Sequence, residues 1–372
     1  MKLLLGGLGI ALLLLVLRDA FETVILPRRV QRKFRLTSLF YRVSWSVWRG
    51  VAFQAPRSFR ESLLGWYGPF SLLVLLALWA LCIILAFGML HWAAGSAVVM
   101  QGTTPGFLAD WYLSGTTFFT LGLGDVVPQS AFARVLTVGE AGLGFAFLAV
   151  IIGYLPVIYQ AFSRREIAIS MLDARAGSPP AAGELLIRYQ GDAEQEDLTR
   201  LLVEWERWSA EVLESHISYP VLAYFRSQHG NQSWLAALTT VLDTSALVQV
   251  GFDGWCLRQA RLTFAMARHA IVDLAQQLNV VQPESLERLD DAEYHELLRR
   301  LGAAGMLFAA PNARSRLAEL RALYEPYAVA LSRRLALALP TWNRQSSRHD
   351  NWQGAPWKTA IQDAEHFEPP AG

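Results

Sequence analysis

Residues 69–90 run for 22 positions without a charged side chain. At ~1.5 Å per residue such a stretch makes roughly 33 Å of helix, enough to cross a ~30 Å hydrocarbon core. Trp66, Tyr67 and Trp92 flank it as aromatics suited to the two lipid–water boundaries. Two further runs share this character. Residues 3–17 are uncharged and reach only about 22 Å, so the helix must continue through residues 20–26, with Arg18 and Asp19 one turn inside and able to pair or snorkel. No small-x-small cleavage pattern follows, so the segment is read as a retained anchor. Residues 135–162 are long enough to cross despite Glu140, and Arg164 and Arg165 stop them. Three spanning helices are expected. They account for a mean hydropathy of +0.26 in a chain of this length.

Charge orients the spans. Residues 18–68 carry ten Lys/Arg and residues 93–133 carry none, which puts the first connection inside, the second outside, the N-terminus outside and the tail inside. Residues 36–53 mix Phe40, Tyr41, Trp45, Trp48 and Phe53 with Arg42 and Arg49, the pattern of an amphipathic helix on the inner leaflet. Arg29, Arg32 and Arg35 have voltage-sensor spacing, but they follow Pro27 and share their stretch with Gln31 and Lys33. They read as a juxtamembrane basic cluster attracted to anionic lipid. Residues 1–162 hold 12 basic and 6 acidic side chains, whereas the rest hold 21 and 26. A basic excess confined to the apolar portion argues against nucleic acid as a partner. Two cysteines, Cys82 and Cys256, exclude a disulfide scaffold and a Cys-rich zinc site.

The outer connection carries the chemistry. Residues 107–119, with Trp111, Tyr112, Thr116 and Thr117, form an apolar helical patch too short to cross and return, so it can re-enter. It leads directly into Thr120, Leu121, Gly122, Leu123, Gly124 and Asp125. Alternating glycines permit positive φ at every second residue, which lets successive carbonyls face one axis and replace an ion's hydration shell. Non-helical backbone at membrane depth is tolerated where protein buries it or where it lines a pore.

Thr-Leu-Gly-Leu-Gly-Asp resembles the potassium-channel filter, usually Thr-Val-Gly-Tyr-Gly-Asp, and is similar to the second pore loop of animal two-pore-domain channels. Pro128, Arg134 and Gly144 lie four, ten and twenty residues after Gly124, the spacings of simple two-helix bacterial potassium channels. The chain is thereby identified as resembling the bacterial potassium-channel family over about residues 107–165 and the preceding span. The resemblance implies potassium coordinated by the carbonyls of Thr120, Leu121, Gly122 and Leu123 and the Thr120 hydroxyl, with Gly124 closing the outer end. It implies Asp125 at the external mouth, where it braces the pore helix, and Gly144 as inner-helix hinge. Phe145, Leu148 and Ile152 would line the cavity. Leu123 departs from the usual tyrosine, Phe119 from threonine and Thr116 from the pore-helix glutamate of some members. Glu140 is a candidate brace behind the pore helix, its rival reading being an interfacial glutamate in water. Pro156 removes a helix hydrogen bond and is either a second hinge or a packing bend.

One loop supplies a quarter of a four-carbonyl ring, so a homotetramer is expected, with potassium as permeant ion and no cofactor. The predicted fold class is an all-α membrane protein: an anchor and basic segment over 1–68, a pore domain over 69–165, a linker over 166–183, a cytoplasmic helical domain over 184–339 and a disordered tail over 340–372. Helical periodicity in the tail is carried by Leu198, Leu201, Trp205, Trp208 and Val212, by residues 232–250 and 255–278, and by Leu317, Leu320, Tyr324, Tyr327, Leu331 and Leu335. Asp192, Glu194, Glu196 and Asp197 lack the glycine and closing glutamate of a calcium loop, and His216, His229 and His269 lack metal-ligand spacing. Hydrolase and metalloprotease motifs are absent, so no enzyme is expected, and no effector of the tail is named. The expected function is passive potassium conduction across a bacterial inner membrane. The alternatives are a poorly selective cation channel and a non-conducting sensor or scaffold.

Overall fold

The computed structural model describes residues 2–26, 35–95, 98–100, 106–189, 192–228, 231–251, 256–280, 287–306, 312–344 and 350. Of the basic cluster, Arg29 and Arg32 lie outside the described residues, as do Lys33 and His229, whereas Arg35 is described and precedes α2. The chain is an all-α membrane protein that divides into two compact units, Met1–Gln160 and Ala161–Gly372.

In the first unit α1 (Lys2–Ala20) is followed by a π-helical turn, Phe21–Ile25. Helix α2 (Leu36–Gln54) then folds back along α3 (Arg57–Ala93) across the short turn at Ala55 and Pro56. Its buried face, Tyr41 and Trp45, meets Tyr67, and Trp48 Nε1 donates to Leu63 O at 2.9 Å. The inward aromatics of the expected amphipathic helix are therefore a seam with α3, which starts a dozen residues before the uncharged run. Its first turns are needed for that seam. Helix α4 (Phe107–Phe118) and the part of α5 (Ala131–Ala176) up to Gln160 complete the unit, with a short antiparallel ladder of β1 (Val98–Met100) and β2 (Val126–Pro128) pairing Val99 with Val127.

Arg18 and Asp19 part company. Arg18 pairs with Glu22 at 3.0 Å one turn on. Asp19 is buried and accepts from Thr37 Oγ1 at 2.6 Å, Thr37 N at 3.1 Å and Trp79 Nε1 at 3.1 Å, so one carboxylate joins α1, α2 and α3. A charge inside an apolar segment is costly unless hydrogen-bonded, and three donors meet that demand.

The second unit is a helical bundle: α6 (Ala182–Arg188), α7 (Asp192–Ser218), a 3-10 turn at Pro220–Tyr224, α8 (Trp234–Gly251), α9 (Cys256–Gln277), α10 (Asp291–Ala303), α11 (Ala313–Ala322) and α12 (Glu325–Leu335). By length and composition α8 joins α1, α3 and α5 as a fourth helix apolar enough to cross a membrane, but 89% of its apolar window is buried inside the unit. A helix apolar all round is a core helix when neighbours cover every face. The α7 stripe is buried as its periodicity predicts. The stripe from Leu317 to Leu335 is two helices, because the chain breaks at Leu323 and Tyr324 and restarts with Pro326 in the first turn of α12, where a missing N–H does no harm. Asp192, Glu194, Glu196 and Asp197 open α7 rather than a cation loop.

His216 is a core residue. Its Nε2 lies 3.2 Å from Arg165 Nη1, which can only donate, so Nδ1 carries the proton toward Val212 O at 2.8 Å. Burial, and then the Arg165 charge, push its pKa well below the ordinary imidazole value. Two boundaries also differ from expectation. Helix α5 stays helical through the first half of the expected linker, leaving residues 177–180 as a turn. Past Pro340, Trp342 is 0% exposed, its ring facing Arg288 and Arg321, and Asp350 binds Arg188 at 3.0 Å and Ser178 N at 3.1 Å. A large aromatic buried by two cations outweighs the polar composition around it.

Candidate functional site

Helix α4 ends at Phe118, where the chain needs partners for its last carbonyls. Phe119 N returns to Gly115 O, Thr120 N to Thr117 O at 2.9 Å and Leu121 N to Thr116 O at 2.7 Å. From there φ is positive at alternate residues: Thr120 at +57°, Gly122 at +54° and Gly124 at +77°. The glycines accept this without a Cβ penalty, and Thr120 holds it although it is not glycine. All five residues from Thr120 to Gly124 are exposed in the single chain.

Asp125 turns back toward α4. Its Oδ2 accepts from Tyr112 Oη at 2.9 Å, and its Oδ1 from Val126 N at 3.1 Å. Tyr112, which the sequence offers only as one aromatic in a patch, is thus the α4 partner of the Asp125 carboxylate. Val126 then packs with Ala109 and Leu113, seating the strand after the glycines on α4.

Behind α4 lies a buried polar cluster. Glu140 of α5 is 0% exposed, which overturns the reading of a glutamate in water. Its Oε1 meets Ser114 Oγ of α4, and its Oε2 lies 3.4 Å from His91 Nε2 of α3. Ser114 Oγ also lies 2.7 Å from Ile84 O, and its one proton serves either that carbonyl or Glu140. Three helices are tied at one carboxylate, at the level of α4 where Thr116 can bond only its own helix, to Leu113 O at 3.0 Å. His91 and Ser114 carry no motif, since only the packing of α3 against α4 and α5 brings them to residue 140. Glu140→Gln, which keeps the shape and replaces the carboxyl with an amide, is expected to change the decay of ion flux severalfold in liposome recordings. Unchanged flux and decay would remove the bracing role.

Gly144 faces the end of α4 so closely that an added Cβ would fall on Phe118 O and within 3.1 Å of Phe118 Cα. Close approach of α5 to the C-terminal end of α4, beside the hinge role the resemblance implies, demands glycine here. Pro156 lies inside α5, whose helical assignment continues on both sides. Phe145, Leu148 and Ile152 are all exposed on α5 in the single chain. Among the described residues no group of three His, Cys, Asp or Glu side chains could hold a metal ion.

No curated protein and no solved structure matches the chain. Residues 72–160, which run from α3 through α4 and the glycine-containing loop into α5, match the protein-family model described as ion channel. Over those residues the chain is therefore similar to an ion-channel domain, within an all-α membrane protein.

Proposed function

We propose that the protein is a potassium-selective channel that conducts passively through a homotetrameric pore in a bacterial inner membrane, with its N-terminus outside and its helical unit in the cytoplasm. The alternation of positive φ at Thr120, Gly122 and Gly124 carries this reading. A backbone that reverses handedness at every second residue can turn successive carbonyls to one side, and four copies of that ribbon make the rings that replace potassium's water. Thr120, Leu121, Gly122 and Leu123 supply the coordinating oxygens, Gly124 closes the outer end and Asp125 concentrates cations at the mouth. Phe145, Leu148 and Ile152 line the inner cavity, and Gly144 and Pro156 are where the inner helix bends.

The test is ion release from potassium-loaded liposomes holding the purified protein. The native chain is expected to release potassium. Gly122→Ala is expected to lower flux at least about tenfold, because a Cβ in the left-handed region costs roughly 1–2 kcal/mol in each copy. A native chain that releases nothing would leave the sensor or scaffold reading. A second reading, a poorly selective cation channel, is favoured by the exposed Leu123 side chain, which has no hydroxyl to tie the filter wall. Reversal potentials separate the two: near the potassium equilibrium value for the first, near zero in opposed potassium and sodium gradients for the second.

A further inference from the structure

We propose that a cavity between the last turns of α1 and the first turns of α2 binds an anionic phospholipid of the inner leaflet. The cavity holds about 650 Å³, within the ~300–1,000 Å³ range of ligand sites. One wall is apolar, with Leu14, Leu15 and Leu39 all exposed, and the other carries Arg18, Arg35 and Arg42. The acids beside them are already engaged. Asp19 is bound to Thr37 and Trp79, and Glu22 sits between Arg18 at 3.0 Å and Arg35 at 4.0 Å. Arg35 keeps a buried Nε without a hydrogen-bond partner, and Arg42 has no hydrogen bond or ion pair among the described residues. The lining thus presents three guanidinium groups and two carboxylates, one positive charge in excess, with Arg42 the guanidinium that has no partner among the described residues. Guanidinium forks match phosphate oxygens.

Depth selects a lipid over a free anion. At the other end of α1, Lys2 Nζ lies over the Trp92 ring at 5.6 Å. Arg18 follows 16 residues later, ~24 Å along the helix, which sets the arginines near the opposite boundary of a ~30 Å hydrocarbon layer. Leu14 and Leu15 lie a turn back toward the bilayer interior. Acyl carbon against leucine and phosphate against arginine is the order in which a phospholipid presents itself. Arg35 belongs both to the basic cluster of the sequence and to the lining of this cavity. The site rests on the proposed orientation only for the choice of leaflet.

The test is native mass spectrometry of the full-length protein in detergent, titrated with phosphatidylglycerol or with phosphatidylcholine of the same chains. The expected result is one phosphatidylglycerol per chain held about tenfold more tightly than phosphatidylcholine. Arg42→Gln should cut that preference about fivefold, the contribution of one arginine near an anionic surface. Arg49→Gln, on the same helix but away from the cavity, should leave it unchanged. Leu39→Trp, which fills the cavity and keeps every charge, should also abolish the bound lipid. Equal retention of the two lipids overturns the proposal, as does an equal loss in Arg49→Gln, which would mean diffuse attraction. Displacement of phosphatidylglycerol by inorganic phosphate at matched concentration also overturns it, in favour of a free-anion site. None of these readouts involves ion flux, so failure here is distinguishable from failure of the channel assignment.

Discussion

Alanine at position 144 is expected to abolish most of the ion current by lowering the conductance of each open pore. The added methyl falls on the Phe118 carbonyl oxygen, and no rotamer change can clear a backbone atom. Helices α4 and α5 must separate, at a typical overpacking cost of about 1–3 kcal/mol per copy. Phe118 leads through Phe119 into Thr120, so the displacement is delivered to the first residue of the positive-φ ribbon. Gly139, Gly142 and Gly153 have no atom within 4 Å of an added Cβ, and alanine there is expected to be tolerated. A hinge role at Gly144 also predicts loss of current, but through open probability at unchanged conductance. Single-channel recordings of Gly144→Ala separate the two. Full conductance with rarer openings would refute the packing account.

Arg288→Met is expected to destabilise the second unit by about 3–5 kcal/mol, the usual cost of leaving a buried charge without its partner. Asp243 lies on the central helix α8 and is 0% exposed. Arg288 donates to its Oδ1 at 3.2 Å and its Oδ2 at 2.8 Å, and also to Pro340 O at 2.8 Å. Tyr324 Oη donates to the same carboxylate. Burial by itself would lower the guanidinium's pKa, but Asp243 outweighs burial and the net shift is upward. The guanidinium therefore stays charged across the physiological range. In thermal unfolding of the full chain the midpoint of this unit should fall by about 10 °C. Adding Asp243→Leu to Arg288→Met should restore most of the loss, because an apolar replacement of a buried pair is close to neutral. If the double variant is no more stable than the single one, the cost lies in packing against Trp342 and not in the stranded carboxylate.

Contiguity decided what could be read in advance. The spans at 69–90 and 135–162 were legible because a bilayer requires about twenty apolar residues in a row. The glycine loop was legible because six neighbouring residues carry its backbone demand. Spacing along one helix also transferred well, as at Leu198, Leu201, Trp205, Trp208 and Val212. Where burial depends on partners from elsewhere, the same reasoning fell short. The apolar composition of α8 does not say whether lipid or protein surrounds it. The polar surroundings of Trp342 conceal a core residue.

The amino-acid order alone determined that this chain enters a membrane, that the connection between its second and third apolar runs holds a Thr-Leu-Gly-Leu-Gly-Asp ribbon, and that its tail is helical, since each follows from neighbouring residues and local backbone preference. Tertiary structure decided which polar groups inside the apolar portion find partners. Asp19 meets Thr37 and Trp79 across 18 and 60 residues, and Glu140 meets His91 and Ser114 across three helices. Tyr112 meets Asp125, and Gly144 abuts Phe118, for the same reason. The energy of a buried polar group is set by the few ångströms around it, and only the packed helices determine what occupies that space.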